Sequence, residues 1–117
     1  MINGFHALLH SDDPTADRVF LRDKLSWPYV DAHEGWLIFA LPPAELGVHP
    51  GARGDGQQFF LMCDDVVATI AELAADGVDV DPEVIDEGPG LFTSIRLPGG
   101  GKLELYEPRH PVATGLR

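Results

Sequence analysis

An α+β fold built from two βαβββ repeats is what this 117-residue sequence predicts, and three observations carry that reading. An aspartate pair twice follows a short apolar stretch: Asp12–Asp13 after "FHALLHS" and Asp64–Asp65 after "QFFLMC". Each pair precedes a segment with apolar residues at helical spacing, "PTADRVFLRDKL" and "VVATIAELAADG". A strand pattern ending in Leu-Pro also recurs, "WLIFALP" (Trp36–Pro42) and "FTSIRLP" (Phe92–Pro98). Each leads through a turn into a further strand, "AELGVH" or "KLELYE". Asp64 lies 52 positions after Asp12, and at the same offset Leu9 meets Leu61 and Leu21 meets Leu73.

Taken in order, the first strand alternates Phe5, Ala7 and Leu9 on one face with His6, Leu8 and His10 on the other. The first helix is capped by Asp12 or Asp13. Pro14 suits its first turn, and Ala16, Val19, Phe20 and Leu25 form an apolar stripe. The Gly- and Pro-rich stretch "HPGARGDGQ" (His49–Gln57) reads as a hinge between halves. In the second half Phe60 and Met62 share the face of Gln58, while Phe59, Leu61 and Cys63 share the other. The second helix takes Asp64 or Asp65 as its cap, Val67, Ile70, Leu73 and Ala74 as its stripe, and Gly77 as its end. In the last strand Leu103 and Leu105 belong to the helix side. Lys102, Glu104 and Tyr106 then face the concave side, so a mid-strand carboxylate points inward. The expected organisation is one domain, 1–117, of two modules (1–52 and 57–110), with a mobile C-terminal tail, "RHPVATGLR".

Composition narrows the function classes. Nineteen acidic against 8 basic residues give a net charge of −11, the reverse of a nucleic-acid or anionic-membrane footprint. Hydrophobic residues make up 44%, enough for one core. No apolar run approaches the ~18 residues of a membrane span. The N-terminal sequence lacks the basic start and long apolar stretch of a secretory signal. Cys63 is the single cysteine, so no intrachain disulfide forms and a reducing cytoplasm is the expected location.

The stretches "HALLHSDD", "FFLMCDDVVATIAELAADGV" and "LPGGGKLELYEP" together resemble the vicinal oxygen chelate superfamily, which includes glyoxalase I, extradiol dioxygenases and bleomycin-resistance proteins. The resemblance spans nearly the whole chain and implies helices on the outer face of a cupped mixed sheet. It also implies three metal-ligand positions, filled here by His6, Gln58 and Glu104, with His49 as an alternative nitrogen donor to Gln58. Such a site would hold one divalent ion (Zn, Ni, Mn or Fe) and leave room for two substrate oxygens. Glu104 is the candidate proton-handling residue, with Glu45 as its alternative. Metal-free members of the superfamily bind ligands without catalysis, and glutamine is a weak donor. Glu104 beside Lys102 is also explained by a simple ion pair.

Two functions therefore stand side by side: a metal-dependent lyase, isomerase or dioxygenase, and a non-catalytic protein that sequesters an antibiotic or metabolite. Both take a small-molecule ligand, for which Phe60, Met62 and Tyr106 supply the pocket wall. The resemblance also implies a homodimer, since short two-module chains leave strand edges to cover.

Overall fold

The computed structural model describes residues 1, 6–48, 50 and 58–116. The elements in order are helix α1 (Pro14–Asp23), strands β1 (Tyr29–Asp31), β2 (Leu37–Phe39) and β3 (Phe60–Met62), helix α2 (Val66–Ala75), and strands β4 (Ile85–Asp86), β5 (Gly90–Arg96) and β6 (Lys102–Pro108). The second half thus forms a complete βαβββ unit. Its four-stranded sheet runs β3-β6-β5-β4, with β3 parallel to β6 and the other neighbours antiparallel.

The first half forms less of its repeat. β1 and β2 pair only with each other, as a separate antiparallel hairpin. The segments expected as its first and fourth strands, in their described residues 6–10 and 44–48, are not strands. Extended backbone becomes a strand only when a neighbour takes up its N–H and C=O groups, and no sheet partner is present for either segment among the described residues.

Both helices are capped by the second residue of their aspartate pair. Asp13 accepts from the Ala16 N–H at 3.1 Å and Asp65 from the Ala68 N–H at 3.0 Å. Gly77, at φ +76°, ends α2 in the left-handed conformation that glycine adopts without strain. The Val78 N–H then closes back on the Leu73 carbonyl at 3.0 Å.

The core lies between the helices and one face of the four-stranded sheet. Phe20 from α1 and Val66 from α2 pack with Val78, Ile95, Leu97, Leu103 and Leu105; Leu21, Leu25, Ile70 and Leu73 flank them. Val66 rather than Val67 leads the buried stripe of α2, and Val67 is exposed. Phe20 likewise turns inward while Val19 stays exposed. The expected α+β arrangement, helices on one face and an open concave face opposite, is the arrangement found. No helix among the described residues is long and apolar enough to cross a membrane.

Candidate functional site

The cross-strand register decides which side chains share the face away from the helices. Antiparallel pairing sets Ser94 opposite Glu104 and Phe92 opposite Tyr106, and the parallel pairing sets Phe60 beside Glu104 and Met62 beside Tyr106. Directly paired residues point to the same side of a sheet. Glu104, Phe60, Met62, Tyr106, Phe92 and Ser94 therefore form one surface.

Glu104 is at its centre and only 8% exposed. Its Oε2 accepts from the Ser94 hydroxyl at 2.9 Å, and the Lys102 ammonium lies 3.2 Å from Oε1. A carboxylate so withdrawn from water requires such partners. Phe60 and Tyr106 pack ring on ring at 5.5 Å, tilted by 57°, within the preferred range for aromatic pairs. Gly90 makes room for this: a Cβ there would run into the Tyr106 ring. The Tyr106 hydroxyl donates to the Pro89 carbonyl at 3.3 Å. Burial pushes its phenol above the ordinary value, and the nearby Glu45 carboxylate adds to the shift.

The C-terminal tail, expected to be mobile, makes contacts along this surface. Arg109 donates its N–H to the Pro89 carbonyl at 2.7 Å and pairs with Asp86 at 3.0 Å. The His110 ring then lies 5.7 Å from the Tyr106 ring. Farther on, the Ala113 N–H donates to Glu45 Oε1 at 2.8 Å, tying the tail to the first half. His110 is the residue that sequence reasoning passed over. Its signal was present in the proline that follows it, which stiffens the turn, and in an arginine three residues past Tyr106 with an acidic loop to pair with.

Of the other expected metal-site residues, His6 and Gln58 are among those described. His6 lies outside any strand and is exposed, and Gln58 is exposed just ahead of β3. His49 lies outside the described residues. Among the described residues no group of three or more His, Cys, Asp or Glu side chains is placed to hold a metal ion. Glu104 Oε2 is engaged by Ser94 and Oε1 by Lys102, so a divalent ion held there would have to displace the lysine.

Cys63 is partly buried on the helix side, and burial pushes its thiol up, so it behaves as a small apolar residue. Two hollows formed by described residues lie elsewhere. One, of about 320 Å³, is lined by His10, Ser11, Asp12 and Gly99–Gly101. The other, of about 300 Å³, lies against the β1–β2 hairpin. Glu104 lines neither of these hollows, and the physical case for its face as the site rests on its buried carboxylate and its rings.

No family model matches the chain, and no curated protein matches it. Solved structures do. The chain is similar to lactoylglutathione lyase from Agrobacterium tumefaciens, with TM-score 0.63 and 21% identity over 90% of this chain and 92% of that one. It is similar to TnmS3, an antibiotic-binding protein from Streptomyces sp. CB03234, with TM-score 0.59 and 22% identity over 89% of this chain and 99% of that one. An integron cassette protein from the mobile metagenome of V. cholerae matches with TM-score 0.50 and 17% identity, over 89% of this chain and 98% of that one. The likeness shows a shared fold, that of the vicinal oxygen chelate proteins.

Proposed function

We propose that this protein binds a small molecule on the Glu104 face and sequesters it without catalysis, as a homodimer. The observation that carries the reading is the state of Glu104. The carboxylate at the position where the resemblance puts a metal ligand is held by a serine hydroxyl and a lysine ammonium. The ammonium supplies one of the positive charges that a divalent ion would bring. The Phe60–Tyr106 ring pair beside it offers apolar area to a flat ligand. The likeness to an antibiotic-binding protein agrees with this reading at the level of fold.

A second reading, a metal-dependent lyase, isomerase or dioxygenase, is favoured by the likeness to a lactoylglutathione lyase. It needs Lys102 to leave Glu104, and a site completed by His6 with Gln58 or His49.

A thermal-shift screen of metabolites and antibiotics, run with and without a chelator, separates the two. A ligand at a hundredfold excess over its dissociation constant stabilises the fold by roughly 2.7 kcal/mol. Sequestration predicts that this gain survives chelation and falls in Phe60→Ala and Tyr106→Ala. A gain that chelation abolishes, restored by one of zinc, nickel, manganese or ferrous iron, favours the metal-dependent enzyme instead.

A further inference from the structure

The segment after β6 crosses from the sheet to the first half and sets a third ring against the candidate site. Its anchors are independent of one another: the Arg109 N–H on the Pro89 carbonyl, the Arg109–Asp86 ion pair, and the Ala113 N–H on Glu45. Between them His110 is fixed. Its Nδ1 lies 2.8 Å from the Pro111 carbonyl oxygen. A carbonyl only accepts, so Nδ1 carries the proton in that contact and the neutral ring keeps Nε2 as a free acceptor. The ring itself faces Tyr106 at 5.7 Å, tilted by 36°.

The charges around it have a sign. Lys102 is taken up by Glu104 and Arg109 by Asp86. Arg96, on the same face, is paired with Asp79 and Asp81. Glu45, close enough to Tyr106 to raise its phenol, is in no ion pair among the described residues. Three rings, a ring-nitrogen acceptor and an uncompensated carboxylate are complementary to a flat cation that carries N–H groups.

We propose that residues 109–116 are a strap forming one wall of the ligand site, and that His110 contacts the ligand and selects planar aromatic cations bearing N–H donors. This rests on the reading of the Glu104 face as a ligand site.

The test uses proflavine, a planar aromatic cation with amino groups, against anthracene-2-carboxylate, an anion with the same three-ring outline. Both are titrated into the full chain by fluorescence at neutral pH and low salt. Four variants are compared. His110→Ala removes the third ring, Ala113→Pro removes the N–H that ties the strap to Glu45 without changing charge, and Phe60→Ala and Tyr106→Ala remove the site's own rings. The expected result is saturable proflavine binding, weakened about tenfold in each of the four variants, with the anion at least tenfold weaker than proflavine. His110 and Ala113 lie on the tail, outside the core, so their variants keep the fold. If Phe60→Ala and Tyr106→Ala weaken binding while His110→Ala and Ala113→Pro bind as the parent does, the site stands and the strap is no part of it. If the anion binds as tightly as proflavine, the assignment of a cation is overturned. If all four variants bind as the parent, or no saturable binding occurs, the Glu104 face is not the site for such ligands and both readings fall.

Discussion

Gly99 shows how closely the two halves approach each other. Its N–H donates to Asp17 Oδ1 at 2.8 Å and its carbonyl accepts from the Asp12 N–H at 3.1 Å. A Cβ at this position would run into Ser11 Oγ and the Asp17 carboxylate, so only glycine fits. Asp17 is buried with Oδ2 unpartnered among the described residues, which makes the Gly99 N–H its principal tie. Gly99→Ala should therefore destabilise the protein by about 1–3 kcal/mol through overpacking. Gly101, where a Cβ would meet nothing within 4 Å, should tolerate alanine to within about 0.5 kcal/mol. Urea midpoints of the two variants check the contrast, and equal midpoints would refute the contact. None of this was legible in "LPGGGKLELYEP", where three glycines read only as a turn between strands. Glu104 was legible in part. Strand alternation gives its face from the sequence alone, because the period of two is local. Its Ser94 partner required the register of β5 against β6, which no local pattern fixes.

The helices were the most legible elements, because caps and apolar spacing are short-range signals. Each aspartate pair offered two candidate caps, and in both cases the second residue takes the role. Asp65→Ala should cost about 1 kcal/mol and Asp64→Ala much less, a difference that thermal denaturation would resolve. A larger cost for Asp64 would move the cap one residue earlier. α2 carries an additional N-terminal acceptor that periodicity could not show: Glu107, on the helix side of β6, accepts from the Val66 N–H at 2.9 Å. A carboxylate at a helix N-terminus meets the positive end of its dipole. Strands of the second half were read correctly in type and facing, since each has a neighbour within the chain. In the first half two expected strands are not strands in their described residues, 6–10 and 44–48. "FHALLHS" and "AELGVH" alternate as strands do, but alternation reports a surface fit for pairing and not the presence of a partner.

That unmet pairing extends to the whole molecule. Among the described residues nearly all of the core comes from the second half, with Phe20 as the first half's buried apolar contribution. The first half instead leaves Leu8, Val30, Trp36, Leu46 and Val48 exposed, Val30 at 65% and Trp36 at 50%. Among the described residues β3 is paired with β6 alone, which leaves its outer edge open. Apolar residues concentrated in one half, together with an open strand edge, mark a surface that another chain covers. A second copy meets both needs at once, because the half with excess apolar surface and the half with the open edge are present in each. Light scattering at micromolar concentration should therefore give a dimer mass, and the melting temperature should rise with protein concentration. Val30→Asp should shift the population toward monomer. Because Val30 is mostly solvent-exposed in the single chain, the substitution should change monomer stability by no more than about 0.5 kcal/mol, so a loss of dimer would report the interface rather than unfolding. A monomer mass for the unsubstituted protein would mean that these apolar side chains face water, and the assembly proposed here would be wrong.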